Sequence, residues 1–271
     1  MIMITSGSNA KVKELVKLQK NHKERKKSGL FVAEGEKLIR EAALHGKLQA
    51  VYVSETVYRK ADLGQKAFFG DLSCEVVADS VFNDIADTVT PQGFLGVVEQ
   101  PGYSLGQIAQ EKEKGILLLD GLRDPGNMGT ILRTAEGAGM SGVILSRDSV
   151  DMFNPKVVRA TMGAIFRMPF CYVEDLAGTV SYLRSRGIPV YGTRMEGSLL
   201  YDEVDYRAGA GIVVGNEAKG ISENVLKQLT GSVRIPMAGK LESLNAAVSA
   251  AILMYEMARQ RRWHQAGKDG G

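Results

Sequence analysis

The 271-residue sequence is poor in the side chains that build metal and disulfide sites: it has two cysteines, Cys74 and Cys171, and three histidines, His22, His45 and His264. They are scattered, so neither a disulfide framework nor a metal site of recognisable spacing is expected. The cysteines read as small apolar core residues beside strand-like runs such as Cys171-Tyr172-Val173. Long apolar runs are absent as well. No segment approaches the roughly 20 residues that span a bilayer, and Met1 to Ser8 lacks the basic and apolar regions of a secretory signal. A soluble, cytoplasmic chain with no membrane partner is therefore expected. The phosphate-cradling Gly-x4-Gly-Lys-Ser/Thr loop is missing too, which disfavours nucleoside triphosphate hydrolysis.

Hydrophobic content of 44% is enough for a sizeable core in one large or two modest domains. Net charge is only +3, but its distribution is uneven. Among the first 30 residues Lys11, Lys13, Lys17, Lys20, Lys23, Arg25, Lys26 and Lys27 face only Glu14 and Glu24, and Arg259, Arg261 and Arg262 lie near the other end. Basic segments of this kind either neutralise phosphates or form an ordinary solvated surface.

The pattern changes near residue 100. Before it, helices are predicted from Asn9 to His22 and from Glu36 to Leu44, with a short one from Ser80 towards Ala86. Strands are predicted at Val51–Val53, Ala67–Phe69, Glu75–Val77 and Phe94–Val98. A Pro101-Gly102 break and a charged stretch, Glu111 to Lys114, follow. From Gly115 onward, continuous apolar runs at Ile116–Leu119, Val143–Leu145, Phe170–Val173, Pro189–Tyr191, Ile212–Val214 and Val233–Ile235 alternate with helix-length segments. That is the pattern of a mostly parallel sheet covered on both faces.

Chemistry is expected in the loop after the first of these strands, where Asp124, Asn127 and Arg133 stand among glycines at a carboxyl end of the sheet. The same stretch also reads as a well-capped connection, with Asn127 as N-cap and Gly129 as a turn residue. Gly137-Ala-Gly-Met-Ser-Gly142 spells a dinucleotide fingerprint but stands between a helix and a strand, the wrong order for pyrophosphate, so it reads as a tight turn. Two later strand ends carry polar loops. One is Gly215-Asn-Glu-Ala-Lys-Gly220, whose Glu217 can accept two hydrogen bonds. The other is Ile235-Pro-Met-Ala-Gly239 with Ser243-Leu-Asn245, which leads into a helix of small residues.

Together, Asn127-Met-Gly-Thr-Ile-Leu-Arg133, Gly215 to Gly220 and Ile235 to Asn245 resemble the three ordered motifs of the SpoU (TrmH-type) RNA ribose methyltransferases. Phe153-Asn-Pro-Lys-Val-Val-Arg-Ala-Thr-Met-Gly-Ala-Ile-Phe166 is similar to a further segment of that family, and Phe31 to Arg40 resembles its amino-terminal substrate-binding domain. The resemblance implies S-adenosylmethionine as cofactor, a trefoil-knotted α/β catalytic domain over residues 115–265, an RNA-binding α/β domain over 1–100, a linker over 101–114 and a homodimer. It further implies a catalytic set of Asn127, Arg133, Glu217, Ser243 and Asn245, with cofactor contacts around Thr193, Gly215, Ile235, Pro236, Met237 and Leu244. Arg25, Lys26, Lys27, Lys156 and Arg159 are the candidate RNA contacts. In this reading Glu217 orients both Arg133 and Asn127. The implied reaction is methylation of a ribose 2'-hydroxyl, in large-subunit (23S) ribosomal RNA more than in transfer RNA. A non-catalytic RNA-binding assembly factor is the other class of reading.

Overall fold

The structure, a computed structural model, describes residues 3–72, 74–110, 115–194 and 199–268. The chain divides into two units, one running to Pro101 and including Asp151–Phe166, the other formed by Gly102–Val150 with the chain from Arg167 onward. The charged stretch 111–114 lies outside the described residues.

The first unit is built on a four-stranded sheet of β1 (Leu30–Glu34), β2 (Leu48–Ser54), β3 (Cys74–Val77) and β4 (Phe94–Glu99), in the order β1-β4-β2-β3. Alternation along β2 sends Tyr52 to one face with Leu15, Leu18, Phe82 and Leu95, and sends Val51 and Val53 to the other with Ile39, Phe69 and Phe94. Residues 67–69, predicted as a strand, lie instead in a helix, Leu63–Asp71. A reciprocal cap between Asp62 and Gln65 starts that helix, and this local hydrogen bonding overrides the short apolar run. Segment 151–166 belongs to this unit, although the sequence pattern groups it with the strands on either side. Phe153 and Phe166 pack against Phe31 at 5.1 and 6.2 Å between ring centroids, and the buried Arg25 binds Asp151 at 2.6 Å.

The second unit is an α/β fold whose sheet is parallel throughout. Its strands are β5 (Ile116–Asp120), β6 (Gly142–Ser146), β7 (Phe170–Val173), β8 (Val190–Thr193), β9 (Leu199–Leu200), β10 (Gly211–Gly215) and β11 (Gly231–Arg234), in the order β7-β6-β5-β10-β8-β11-β9. Residues 116–119 of β5 are wholly buried, as continuous apolar runs in a sheet covered on both faces require. From β5 the chain proceeds outward through β6 and β7, and β10 later pairs with the other side of β5. The strand order therefore reverses between β5 and β10. Ligands of open α/β sheets bind beyond the strand carboxyl ends at such a point.

Among the described residues no helix is long and apolar enough to cross a membrane.

Candidate active site

At the end of β5 the chain turns through Gly121, whose φ of +69° lies in the left-handed region that disfavours any side chain. Its N–H donates to Ser146 Oγ at 2.8 Å and its carbonyl accepts from Asn216 Nδ2 at 2.7 Å. Three residues on, Asp124 caps the Pro125–Gly137 helix by accepting from the Asn127 N–H at 2.7 Å, with Pro125 supplying the first helical φ. The cap is thus Asp124 and not Asn127, and Gly129 is buried within the helix and is no turn residue. Because Asp124 satisfies the helix start, the Asn127 side chain is released for other partners.

Those partners come from the two later loops. After β10, Gly215 meets the backbone of the following turn so closely that a Cβ would lie 2.2 Å from the Gly220 carbonyl carbon. Only glycine lets the Asn216–Gly220 turn fold back onto its strand. Asn216 and Gly220 exchange backbone hydrogen bonds of 3.0 and 2.9 Å, and Asn216 Oδ1 accepts from the N–H groups of Ala218 and Lys219. This turn presents Glu217, whose carboxylate accepts from Asn127 Nδ2 at 3.1 Å and from the backbone N–H groups of Asp124 and Arg123 at 3.3 and 3.4 Å. Partial burial pushes the Glu217 carboxyl up, but the hydrogen bonds from Asn127, its own backbone, Asp124 and Arg123 outweigh that and hold it below the usual glutamate range.

A carboxylate can only accept, so its charge fixes the direction of the bonds beyond it. Asn127 must turn its amide N–H towards Glu217 and its carbonyl away. That carbonyl accepts from Asn245 Nδ2 at 2.9 Å. Asn245 in turn aims its own carbonyl at the Ala247 and Val248 N–H groups, at 2.8 and 3.3 Å, capping the helix Ala246–Lys268. One polarised chain, Glu217 to Asn127 to Asn245, therefore joins three strand-end loops.

Beside this chain a cleft of about 710 Å³ opens at the carboxyl ends of β8, β10 and β11. Its wall combines apolar Val214, Ile235, Met237, Leu244 and Leu253 with polar Thr193, Asn216, Ser243 and Asn245. Thr193, Gly215, Ile235, Met237 and Leu244 thus line one cavity, as do Glu217, Ser243 and Asn245 of the expected catalytic set, whereas the exposed Pro236 is not in its wall. Apolar faces mixed with polar groups at strand ends suit a nucleoside-sized cofactor.

Arg133 stands apart. It is exposed on the Pro125–Gly137 helix, and six residues beyond Asn127 it projects about 120° round the axis from it. Glu217 bonds Asn127 and does not reach Arg133, so the expected orientation of Arg133 by Glu217 is not formed.

Two of the basic candidates are already engaged. Arg25 is 4% exposed and donates to Asp151 and to the carbonyls of Leu18 and Gln19. Arg159 pairs with Asp87 at 2.5 Å and lies 4.0 Å from Glu34. Both hold the first unit together, because a guanidinium withdrawn from water stays where carboxylates compensate it. Lys26, Lys27 and Lys156 are exposed. Near the carboxyl end, Arg259 bonds Glu256, and Arg261 donates to the carbonyls of Ala138 and Gly139. Cys74 and Cys171 are buried, which pushes both thiols up to about 11. Among the described residues no group of three or more His, Cys, Asp or Glu is placed to hold a metal ion.

Comparison with known proteins agrees with this geometry. Residues 114–255 match the model of the SpoU rRNA Methylase family, and residues 9–96 match that of the MRM3-like substrate binding domain. A Bacillus subtilis protein named 23S rRNA (guanosine(2553)-2'-O)-methyltransferase RlmP is 33% identical over 258 residues, covering 95% of this chain and 99% of its own. Among solved structures, an AdoMet-bound rRNA methyltransferase from Sinorhizobium meliloti is 31% identical with a TM-score of 0.83, over 95% of this chain and 97% of that one. The SpoU methyltransferase AviRb from Streptomyces viridochromogenes, in complex with AdoMet, is 27% identical with a TM-score of 0.83, over 94% of this chain and 100% of that one. The motif-bearing loops, the parallel sheet and these matches over nearly the whole length make the chain a member of the SpoU rRNA methylase family.

Proposed function

We propose that this protein is an S-adenosylmethionine-dependent methyltransferase that methylates a ribose 2'-hydroxyl in 23S ribosomal RNA, working as a homodimer with a trefoil-knotted catalytic unit. The observation that carries the reading is the cleft at the ends of β8, β10 and β11, walled in part by Glu217 and Asn245 of the polarised chain. Likeness to the RlmP methyltransferase over nearly the full length supports the choice of substrate class. The dimer reading is supported by Val248 and Tyr255, seven residues apart on one side of the carboxyl-terminal helix and 47% and 50% exposed, which a second copy of the chain would cover further.

When bound, S-adenosylmethionine supplies an electrophilic methyl group carried on a sulfonium. Thr193, Gly215, Ile235, Met237 and Leu244 would hold it in the cleft. Placing the ribose hydroxyl is then the main task, and alignment of two reactants contributes on the order of 7–11 kcal/mol in such transfers. Arg133 is exposed and makes no hydrogen bond or ion pair among the described residues, so its guanidinium is available to grip the phosphate next to the target ribose and to polarise the hydroxyl. The guanidinium acts as a donor and not as a base, so the hydroxyl proton leaves to solvent water as the methyl group arrives on the ribose oxygen. Glu217 keeps its charge and fixes Asn127 and, through it, Asn245, so the Asn245 amide presents a constant face to whatever enters the cleft.

The test is transfer of a labelled methyl group under single-turnover conditions, with ribose methylation mapped across total RNA made with and without the protein. A 2'-O-methyl group in 23S rRNA that depends on the protein is the expected result, and a site found only in tRNA would overturn the substrate assignment. Failure to bind S-adenosylmethionine in calorimetry would leave a non-catalytic RNA-binding protein. Arg133→Lys is expected to lose most turnover while retaining cofactor affinity; a near wild-type rate would remove Arg133 from the reaction.

A further inference from the structure

The turn after β6 holds the catalytic loop at more points than its sequence suggests. Ser146 is buried, with 7% exposure, and its hydroxyl accepts from the Gly121 N–H at 2.8 Å while donating to Asp148 Oδ1 at 2.7 Å. Ser149 Oγ lies 3.2 Å from the same hydroxyl. Two residues beyond Asp148, the Val150 N–H donates to the Leu122 carbonyl at 2.8 Å. The exposed pair Arg123–Asp148, at 3.6 Å, adds a third and weaker tie. Residues 121, 122 and 123 are each gripped by 146–150, and the next N–H groups along, those of Arg123 and Asp124, are the ones that hold Glu217.

From this geometry we infer that Ser146 is a positioning residue for methyl transfer, fixing the Gly121 peptide and through it the register of Glu217 and Asn127. The Gly121 peptide is held from both sides, by Ser146 at its N–H and by Asn216 at its carbonyl. Releasing one side lets a left-handed glycine, the least constrained residue of the loop, rotate. The N–H groups of Arg123 and Asp124 then leave the Glu217 carboxylate, and Asn127 loses the acceptor that sets its amide. Ser146 itself is not in the wall of the cleft, so cofactor affinity should not register its loss. The inference rests on the methyltransferase reading above.

Ser146→Ala tests it in the full-length protein, with Ser146→Thr restoring the hydroxyl. Expected for Ser146→Ala are a single-turnover methylation rate at least tenfold lower, dissociation constants for S-adenosylmethionine and RNA within about threefold of the unaltered protein, and faster hydrogen exchange at the Gly121 amide. Ser146→Thr should recover both rate and exchange protection. If Ser146→Ala does not fold, Asp148→Ala, at an exposed side chain that orients the Ser146 hydroxyl, should show a smaller loss of rate with the same accelerated exchange. Faster exchange at Gly121 with an unchanged methylation rate would overturn the inference, as would a loss of rate that follows only from lost cofactor or RNA binding. If the unaltered protein transfers no methyl group at all, the functional reading fails, and the inference fails with it.

Discussion

Asn127 bonds Glu217 across 90 residues of sequence and Asn245 across 118, yet a single carboxylate sets the polarity of the whole chain. Hydrogen bonds donated to Glu217 favour its charged form, so its pKa in the folded protein lies below its ordinary 4.5. The sign follows: this interaction stabilises the fold fully above about pH 4.5 and is lost as pH falls through the lower, folded value. Melting curves taken down the acid limb should show that Glu217→Gln removes part of the pH dependence; an identical slope in both proteins would mean the carboxylate is not held as described. Asn127→Asp sets a second carboxylate against Glu217 and deletes the donor. A fall of about 100-fold in single-turnover rate is expected, comparable to removal of a positioned donor in other enzymes. The residue types of this chain were legible in the sequence, since Asn, Glu and Asn recur at successive strand ends. The direction of each amide was not, because it depends on which atoms face one another across loops. Ser146 carried no signal at all: a serine ending a buried strand is commonplace.

Most elements were legible for reasons that act locally. Continuous apolar runs marked the strands of the parallel sheet, and Asn9 announced its helix by accepting from the Lys11 N–H. Beyond these, β1 (Leu30–Glu34) is absent from the predicted strands and the first predicted helix divides at Asn21, and elsewhere structure and prediction differ where local chemistry and hydrophobic pattern disagree. Ala67-Phe68-Phe69 looks like a strand, yet Asp62 and Gln65 cap a helix through it, and Phe69 buries its ring against Phe94 at 5.9 Å. The two-residue β9 is too short to leave a periodic signal. The helix is capped by Asp124, three residues before the Asn127 that the capping pattern suggests, and this shift moves the Asn127 side chain from capping to the site. Asp124→Ala should therefore do two things: lower stability by about 1 kcal/mol through the lost cap, read by urea titration, and weaken methyl transfer by letting Asn127 drift. Gly215→Ala tests the neighbouring loop. Its new Cβ would meet the Gly220 carbonyl carbon at 2.2 Å, which the backbone must move to relieve, so cofactor binding measured by calorimetry should be lost or fall by at least tenfold. Unchanged affinity would show that the turn does not shape the cleft.

On the scale of the molecule, the sequence order misleads about which residues stabilise one another. Segment 151–166 is flanked on both sides by chain belonging to the parallel sheet, but its own contacts lie with the first unit. Phe153 and Phe166 bury against Phe31, while Arg25 and Arg159 bind acids with Asp151, Asp87 and Glu34 taking part. The basic residues that looked ready for RNA are thus partly an internal framework, which composition and charge counting could not distinguish from a surface patch. Phe153→Ala separates the two groupings in the full-length protein. Truncating a buried phenylalanine costs roughly 3–5 kcal/mol where the site cannot collapse, and that loss should fall on the unit that owns the contact. Hydrogen exchange is then expected to accelerate along β1, β2 and β4, with amides of β5, β6 and β10 keeping their protection, as for units that open separately. Equal acceleration in both sheets would mean that the segment is stabilised jointly and that the chain opens as one cooperative body.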